Sequence, residues 1–374
     1  MKQERIKKVF NHICNHVYPD DPPEAVLLIN EGFKSSNFSY ITGLVQGVFD
    51  NCGVLFENEG RVCIFTTSLE EELLRGIGGG AELEYIVYRT REQRNSRLKE
   101  VLEAYSLVGL CYESIPCTLY LAVREIAPET AFVDVSRAFK MARMIKLPDE
   151  IDSIGVACRI VSEVADEVPE LLTEGMTELD LVAEIDYRVM KKGAERPAFK
   201  TIVSFNTNTS KPHYEGGSIA LKKNDVVLVD FGAVYRGYVS DITRTFFTGN
   251  PSAEIVKLYS VVRKAQEIAM GLIGSGINVG EVEEEVRRYV DSHEQYRDRF
   301  IHSLGHSLGL DVHDDSYPGE DFDKRFSENM VLTVEPGIYI PGFCGVRIED
   351  DILVEGNSCR LLTTASREPL SYGK

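Results

Sequence analysis

Two aspartates stand inside apolar runs of the sequence, where a buried strand should carry no charge. Asp230 follows the apolar run 226–229, and Asp241 lies in a second strand-like run that ends at residues 246–247. Two ionised carboxylates about 5 Å apart repel by roughly 3 kcal/mol at an effective dielectric of about 20. A divalent cation between them reverses the sign of this energy. The pair therefore predicts a metal site, with a solvent-facing or turn-capping aspartate as the alternative.

The element that must position these aspartates is a candidate β-hairpin over residues 226–247. The tripeptide Tyr-Arg-Gly at 235–237 is typical of a turn between two strands. With the turn centred on the Tyr-Arg bond, Asp230 lies directly opposite Asp241, at a Cβ separation of about 5 Å. The sequence thus predicts that the two carboxylates share one face of the ladder. Opposite faces would contradict the metal site.

A second hairpin candidate, over residues 331–354, repeats this arrangement. Glu335 follows an apolar run, Glu349 lies in the returning strand, and a loop centred on Gly342 places the two glutamates opposite each other. The Pro-Gly pair that follows Glu335 is compatible with a bulge, which leaves this register less fixed than the first. The matching patterns Val-Asp-Phe-Gly and Val-Glu-Pro-Gly indicate that the domain contains two similar halves.

Histidines cluster between the two hairpins, where the segment IHSLGHSLGLDVHDD contains His302, His306 and His313. Gly305 and Gly309 disfavour a helix here, so a shared helical face is not predicted. A core histidine satisfied by hydrogen bonds is the alternative for any single one. An imidazole beside four carboxylates forms an oxygen-rich ligand set. Such a set suits two Mn²⁺, Co²⁺, Fe²⁺ or Zn²⁺ ions better than one structural zinc, which prefers thiolates.

The hydrophobic periodicity divides the chain into two predicted domains, 1–143 and 144–374. In the first, short apolar runs alternate with amphipathic ones, which predicts an α/β domain with a mixed sheet. The second combines long helices with antiparallel hairpins, which predicts an α+β domain. Residues 177–180 form a candidate capping box at the start of one helix. Another helix is predicted to begin at 250–251, because the missing N–H of proline costs nothing in a first turn.

The composition excludes several classes of partner. The 374 residues include 41 Lys+Arg and 59 Asp+Glu, a formal net charge of -18. Nucleic acids and anionic membranes bind proteins through clustered positive charge, so neither is predicted as a partner. The 8 cysteines contain no C-x-x-C pair, which is typical of reduced thiols in a cytosolic protein. No signal-peptide pattern or apolar run of about 18 residues occurs, and we expect a soluble cytoplasmic protein.

Five of these residues, with their neighbours, resemble the metal ligands of the pita-bread metallopeptidases, in that family's order. They are Asp230 and Asp241 in VDFG and SDITRTF, His306 in HSLGHSLGLDVHD, Glu335 in TVEPGIYI, and Glu349 in VRIEDD. Three further residues resemble the proline-specific branch, Xaa-Pro aminopeptidase and Xaa-Pro dipeptidase (prolidase): His213 in KPHYEGG, His313 in DVHD and Arg347 in RIED. The resemblance covers the second domain in detail. The first is similar to a creatinase N-terminal domain only in length and α/β character.

The resemblance implies a pita-bread catalytic domain with a dinuclear metal site. In that family's arrangement Asp241 and Glu349 bridge two divalent ions, Asp230 binds one of them, and His306 and Glu335 bind the other. Mn²⁺ or Co²⁺ are the expected ions, with Zn²⁺ or Fe²⁺ as alternatives. A hydroxide that bridges the metals is then expected to attack the carbonyl carbon before proline.

The resemblance also implies roles for residues around the metals. Glu335 would carry a proton to the leaving nitrogen. His213 and His313 would bind the substrate and stabilise the oxyanion, and Arg347 would orient the bridging carboxylates. The expected function is hydrolysis of Xaa-Pro bonds in short proline-containing peptides by a homodimer. The sequence is compatible with a dipeptidase or an aminopeptidase.

Three other functions are weaker interpretations of the sequence. Methionine aminopeptidases share the five ligands but normally lack a separate domain of this size. Creatine amidinohydrolase shares the two-domain layout without the acidic ligand set. A peptide-binding module built on the pita-bread fold predicts degraded ligand positions, and all five positions are filled here.

Overall fold

The computed structural model describes residues 3–76, 83–368 and 371–372. The chain divides into two compact units, Met1–Arg143 and Met144–Lys374. Each unit has hydrophobic clusters of its own. Among the described helices, none has both the length and the apolar composition that crossing a bilayer requires.

The first unit is built on a six-stranded mixed sheet. Its strands are β1 (Ala25–Ile29), β2 (Gly53–Phe56), β3 (Val62–Thr67), β4 (Leu83–Tyr88), β5 (Leu107–Leu110) and β6 (Ala131–Asp134). Their order across the sheet is β4-β3-β2-β1-β5-β6. The pairs β1/β5, β5/β6 and β3/β4 are parallel, whereas β2 is antiparallel to both of its neighbours. The predicted α/β domain with a mixed sheet is confirmed.

The described part of this unit also has six α-helices: α1 (Gln3–His12), α2 (Ser36–Thr42), α3 (Glu71–Gly76), α4 (Arg91–Leu102), α5 (Cys117–Ile126) and α6 (Ser136–Met144). A short π-helix, Ile13–Val17, follows α1. All five residues of β1 are buried, which explains why its sequence is continuously apolar instead of alternating. Leu98 and Leu102 on α4 and Leu119 and Val123 on α5 pack in the same hydrophobic cluster as β1.

The second unit combines four long helices with short antiparallel strands. The helices are α7 (Pro148–Leu171), α8 (Glu178–Lys191), α9 (Ala253–Leu272) and α10 (Val279–Asp291). The predicted capping box is present, because Thr177 and Asp180 exchange hydrogen bonds at the start of α8. The predicted start of α9 at Asn250-Pro251 is wrong. Ser252 caps this helix by accepting a hydrogen bond from the N–H of Ile255, so the proline precedes it.

The strands of the second unit fall into two groups that follow the two helix pairs. The first group contains β7 (Arg196–Pro197), β8 (Ile202–Phe205), β9 (Val226–Phe231), β10 (Ala233–Tyr235), β11 (Tyr238–Val239) and β12 (Ile242–Thr248). The second contains β13 (His306–Ser307), β14 (Asp315–Ser316), β15 (Val331–Val334), β16 (Gly337–Tyr339), β17 (Gly345–Arg347), β18 (Asp350–Glu355) and β19 (Ser358–Leu361). The terminal strand β20 (Ser371–Tyr372) pairs in parallel with β12.

The two halves of this unit follow one plan. Each half has a pair of helices and then a hairpin, and Gly175 and Gly276, with φ of 89° and 85°, lie at matching places between the paired helices. Thr177 and Asn278 cap the second helix of each pair, and each also forms an isolated β-bridge. The internal similarity predicted from the two acidic hairpins therefore extends to the helices before them.

The first hairpin has a register that differs from the prediction by two residues. Arg236 and Gly237, with φ of 50° and 78°, form the turn, and this pair of positive φ values is typical of a type I′ hairpin. Asp230 consequently pairs with Thr243 and not with Asp241. Because side chains alternate with a period of two, the shift leaves both aspartates on one face as diagonal neighbours. Their Cα atoms are then roughly 7–8 Å apart.

The second hairpin has the predicted register. Val334 pairs with Asp350 on one side of the acidic positions and Gly337 pairs with Arg347 on the other. Both pairs have the same sum of residue numbers, so Glu335 and Glu349 occupy opposite positions, as predicted. The ladder itself is interrupted there, because the N–H of Glu335 donates to the carbonyl oxygen of Leu304 at 2.9 Å.

Candidate metal centre

A cleft in the second unit brings together every residue of the predicted site. It has a volume of about 470 Å³, and apolar side chains of Phe199, Ile202 and Val312 form part of its lining. The eight predicted residues that line it are Asp230, Asp241, His306, Glu335, Glu349, His213, His313 and Arg347.

The four carboxylates lie at or beside strand ends in the two hairpins. Asp230 lies near the end of β9, and Asp241 directly precedes β12. Glu335 directly follows β15, and Glu349 directly precedes β18. The N–H of Glu349 donates to the carbonyl oxygen of Thr243 at 3.1 Å, which joins the hairpins where the acidic residues meet.

Two buried carboxylate oxygens in this cluster have no hydrogen-bond donor. They are Oδ1 of Asp230 and Oδ1 of Asp241, and these residues are 9% and 5% exposed. A buried acceptor without a donor costs about 1–3 kcal/mol, and more when it is charged. A divalent cation between the carboxylates would satisfy both oxygens. This observation supports the fit of the cluster to metal ions.

His306 presents an uncharged nitrogen to the carboxylates. Its Nδ1 lies 3.2 Å from the carbonyl oxygen of Ser307, a contact that assigns the proton to Nδ1. The lone pair on Nε2 then faces Asp241 Oδ2 at 3.7 Å and Glu335 Oε1 at 3.5 Å. Burial, and then the nearby His313, lower the pKa of His306 to about 4, so the ring does not gain a proton to relieve this contact. A cation would turn three repelling groups into ligands.

The carboxylates repel one another when no cation is bound. Ligand atoms of Asp241, His306 and Glu349 lie within 4.8 Å of each other. Burial, and then the charges of neighbouring carboxylates, raise the pKa of Asp241 and of Glu349 well above their ordinary values. Burial also raises the pKa of Glu335 to about 7. When all four carboxylates are ionised, their charge exceeds that of the neighbouring Arg347, and divalent ions would balance the excess.

Arg347 is the one cation among the charged residues lining the described cleft, and its guanidinium holds three groups. Nη2 donates to Asp230 Oδ2 at 2.6 Å, Nη1 to the hydroxyl of Tyr339 at 2.8 Å, and Nε to Oγ1 of Thr243 at 2.9 Å. Oγ1 of Thr243 in turn donates to Glu349 Oε2 at 2.6 Å. One guanidinium therefore orients carboxylates from both hairpins.

Comparison with known proteins decides the family. Residues 152–356 match the model of metallopeptidase family M24, and residues 24–145 match the creatinase/prolidase N-terminal domain. The chain belongs to metallopeptidase family M24. The pita-bread family, the prolidase branch and the two-domain fold class predicted from the sequence are therefore confirmed, and this M24 peptidase is a hydrolase.

Relatives of this M24 peptidase span nearly its whole length. A Xaa-Pro dipeptidase from Pyrococcus horikoshii is 35% identical over 98% of this chain and 98% of its own. The solved structure of a Xaa-Pro dipeptidase from Bacillus anthracis is 26% identical with a TM-score of 0.86, covering 98% of this chain and 99% of its own. That of an X-Pro aminopeptidase from Thermotoga maritima is 29% identical with a TM-score of 0.83, covering 94% and 97%.

Replacing Arg347 with lysine is expected to weaken this M24 peptidase although the charge is kept. An ammonium cannot reach Asp230, Tyr339 and Thr243 together, because it lacks the planar fork of a guanidinium. We expect metal affinity or kcat/KM to fall by roughly 10–100-fold, the usual scale for groups that orient metal ligands. Arg360→Lys is the control, because Arg360 is exposed and its guanidinium pairs with Glu355, away from the cleft. Equal kinetics for the two variants would contradict this role of Arg347.

The sequence did not single out Thr243, Tyr339 or Asp351. Thr243 has the same strand parity as Asp241, so the period of two along DITRTF could have revealed it. Asp351 is fully buried, and its Oδ2 accepts from the N–H of Asp241 at 2.9 Å and from the thiol of Cys158 at 3.2 Å. The signal for Asp351 was a third consecutive acidic residue in an otherwise buried run.

A buried glutamate holds the segment that carries His213. Glu178 is fully buried at the first position of α8, and four donors surround its carboxylate. Oε1 accepts from the N–H of Phe205 at 2.8 Å and from Asn208 Nδ2 at 3.0 Å. Oε2 accepts from the hydroxyl of Tyr214 at 3.0 Å and from the N–H of Gly217 at 2.8 Å. These bonds fix both ends of the loop 206–217.

Glu178→Gln is expected to lower kcat/KM by about tenfold without loss of metal. The glutamine side chain would replace one carboxylate oxygen of Glu178 with an NH₂ group, which cannot accept hydrogen bonds from the donors that this oxygen now binds. We expect this loss to cost about 1–2 kcal/mol of stability in the loop contact. If Glu178 acts through His213, Glu178→Gln should have little further effect in a His213→Ala background. Glu174→Gln, on the exposed segment just before α8, is the control. Additive losses in the double variant would contradict this connection.

Metal binding is expected to release protons and to strengthen as the pH rises. A carboxyl with a raised pKa holds its proton below that pKa, so protons compete with the cation at low pH. With the pKa of Glu335 at about 7, Mn²⁺ should bind more weakly at pH 5.5 than at pH 8. Calorimetric titration in two buffers of different protonation enthalpy measures the proton release. Equal affinity at both pH values would contradict the expected competition.

Proposed function

We propose that this M24 peptidase hydrolyses the bond between an N-terminal residue and a following proline. The observation that carries the proposal is the buried cluster in which two carboxylate oxygens without donors and a neutral imidazole face one cleft. The Xaa-Pro dipeptidase and X-Pro aminopeptidase among its relatives support the choice of substrate. A dipeptidase and an aminopeptidase are both included in the proposal.

We assign the metal ligands as the sequence predicted them. Asp241 and Glu349 would contact both ions, Asp230 one of them, and His306 with Glu335 the other. Mn²⁺ or Co²⁺ fits this oxygen-rich set, and Zn²⁺ or Fe²⁺ is the alternative. When bound, the ions would supply Lewis-acid activation of water and of the scissile carbonyl.

The side chains of the cleft would carry the remaining steps. Glu335 would accept a proton from the attacking water at Oε1 and pass it to the proline nitrogen, so that water adds across the C–N bond. His213 and His313 are both exposed within the cleft lining, where their N–H groups would donate to the carbonyl oxygen of the substrate. Arg347 would keep Asp230 in place throughout.

Proline explains why a dedicated site is needed. Its nitrogen carries no hydrogen and its φ is fixed, so an enzyme that relies on the N–H of that residue or on a free backbone handles the bond poorly. Apolar side chains of Phe199, Ile202 and Val312 line the cleft beside the acidic cluster. They would contact the pyrrolidine ring.

We extend the proposal to the organisation of the protein. Domains 1–143 and 144–374 would be the creatinase N-terminal-like and catalytic domains, which the matched ranges 24–145 and 152–356 support. All eight cysteines are free thiols, which supports a cytoplasmic location. The working form would be a homodimer.

Four peptides test the substrate proposal on the Mn²⁺-loaded protein. Ala-Pro should be cleaved at least about 100-fold faster than Ala-Ala. A site that is specific for proline makes apolar contacts with the pyrrolidine ring and does not need a hydrogen bond from the N–H group that proline lacks. Ala-Pro-Ala compared with Ala-Pro separates an aminopeptidase from a dipeptidase. Faster cleavage of Met-Ala-Ser than of both proline peptides would overturn the proposal in favour of a methionine aminopeptidase.

A further inference from the structure

A buried ion pair lies behind the acidic cluster and joins the two hairpins. Arg244 directly follows Thr243, and Asp350 directly follows Glu349. Because side chains alternate along a strand, Arg244 and Asp350 point away from the cleft that Glu349 lines. Arg244 Nη2 donates to Asp350 Oδ1 at 2.7 Å, and each side chain is only 1% exposed. The pair is therefore an internal contact between the halves of the catalytic unit.

This ion pair connects equivalent positions of the two halves. Arg244 pairs with Val229 in the first hairpin, and Asp350 pairs with Val334 in the second. Each valine directly precedes the first acidic residue of its hairpin. The two halves thus have opposite charges at the same place, and a charge-assisted hydrogen bond fixes one hairpin against the other.

The guanidinium of Arg244 also holds the backbone of both hairpins. Nη1 donates to the carbonyl oxygens of Thr243 at 3.0 Å and Glu349 at 2.6 Å. Nη2 and Nε donate to the carbonyl oxygens of Ala365 at 2.9 Å and Ser366 at 3.0 Å, in the segment after β19. Together with the ion pair, these bonds give every N–H group of the guanidinium an acceptor.

Gln266 on α9 extends the contact to the backbone before the two glutamates of the cluster. Its side chain is fully buried, and Nε2 donates to the carbonyl oxygens of Val334 at 3.1 Å and Ile348 at 3.3 Å. These two peptide groups directly precede the two glutamates. Nε2 also lies 3.0 Å from Asp350 Oδ2, so the amide and the ion pair form one connected set of hydrogen bonds.

The packing of a helix at this place does not by itself require a glutamine. Ala165 on α7 lies as far before Gly175 as Gln266 lies before Gly276, the matching glycine of the second half. Ala165 is 1% exposed and packs in an apolar cluster. Since a buried amide costs free energy unless it is hydrogen-bonded, the glutamine indicates a need for its bonds to the strands.

We infer that Arg244, Asp350 and Gln266, which we call the buried network, are positioning residues for the metal ligands. The buried network holds the peptide groups beside Glu335 and Glu349, so that both carboxylates keep a fixed place relative to each other. Groups that orient metal ligands in this way commonly control metal affinity and activity. The inference rests on the ligand assignment proposed above and adds the residues that set its geometry.

Gln266→Met is the main test, because methionine has a similar length but cannot donate a hydrogen bond. Calorimetric titration of the metal-free variant should show Mn²⁺ binding about 10–100-fold more weakly than in the wild type. On Ala-Pro, kcat should fall by about tenfold while KM stays within about twofold, because the lost bonds act on the reaction step. Variants of Arg244 or Asp350 would leave a buried charge unpaired and endanger folding itself.

Thr363 offers a matched pair of variants at the other end of the buried network. Its buried Oγ1 donates to Asp350 Oδ1 at 2.8 Å and accepts from the N–H of Asp351 at 3.0 Å. Thr363→Val keeps the shape without the hydroxyl and should weaken Mn²⁺ binding about fivefold, the effect of one lost hydrogen bond. Thr363→Ser keeps the hydroxyl and should bind Mn²⁺ as the wild type does. Equal losses in both variants would count against the buried network.

Val282→Ala separates positioning from general stability. Val282 is 1% exposed in the core beneath α10, so this variant should lower Tm but leave Mn²⁺ affinity and kcat unchanged. Wild-type Mn²⁺ affinity in Gln266→Met, or an equal loss of affinity in Val282→Ala, would overturn the inference. A wild type that binds Mn²⁺ but cleaves no proline peptide would refute the proposed function instead, and the comparison of metal affinities would still decide the inference.

Discussion

Replacing Asp241 with alanine is expected to remove both bound metal and peptide hydrolysis from this protein. Oδ2 of Asp241 lies 3.7 Å from Nε2 of His306, and its buried Oδ1 has no hydrogen-bond donor. Both carboxylate oxygens are therefore available to bind cations. Without it, the remaining ligands cannot hold two ions close together. We expect kcat/KM to fall by roughly 10³-fold or more, the upper end of the scale for removing one charge-stabilising group.

Metal analysis by mass spectrometry and kinetics on Ala-Pro measure this effect. The Asp241→Ala protein should also unfold at the same or a higher temperature in metal-free buffer, since one of four repelling carboxylates is gone. Asp152→Ala, at an exposed position on α7, is the control and should match the wild type. A variant that keeps two ions per chain would contradict the bridging position of Asp241.

Chelation of the metal is expected to abolish activity and to destabilise the catalytic unit. The metal-free cluster contains Asp241 and Glu349 with strongly raised pKa values, an indication that their charges are poorly compensated. An ion present at about 1,000 times its Kd stabilises the folded state by about 4 kcal/mol. At about 2–4 °C per kcal/mol, Tm should rise by roughly 10 °C when Mn²⁺ is restored.

Calorimetry and the Ala-Pro assay on the same chelated sample separate the two effects. Adding Mn²⁺ or Co²⁺ should restore activity and raise Tm together, whereas Mg²⁺, which keeps its water shell and prefers an octahedral set, should do so weakly. The Asp241→Ala protein should show little Tm rise with any of these ions. A wild-type Tm that does not respond to Mn²⁺ would contradict the electrostatic account of the cluster.

The sequence predicted the acidic face of both hairpins for a physical reason. Side chains in a strand alternate, so an error of two residues in register, such as the one between Asp230 and Asp241, moves a partner along the same face and not to the other. The turn was displaced by one position because Arg236 adopts a positive φ, which is uncommon for a residue with a Cβ. Glu335 and Glu349 were placed correctly because Gly342 marked the loop.

The supporting contacts depended on tertiary structure and could not be derived from local patterns. Asp351 reaches Cys158, which is 193 residues away in the chain, and Glu178 reaches Gly217 across 39 residues. Neither contact leaves a periodic signal, since each joins elements whose packing the sequence does not state. The start of α9 was misplaced for a local reason, because Ser252 caps the helix and Pro251, which was predicted to lie in its first turn, precedes the cap.

The most direct test of the account is to measure Ala-Pro hydrolysis while Mn²⁺ is added to metal-free protein, with bound metal counted at each step. Because Asp241 and Glu349 are assigned to both ions, we expect activity to rise with occupancy and to reach its maximum when two ions are bound per chain. Full activity in protein that binds no metal, or two bound ions without hydrolysis of any proline peptide, would contradict it.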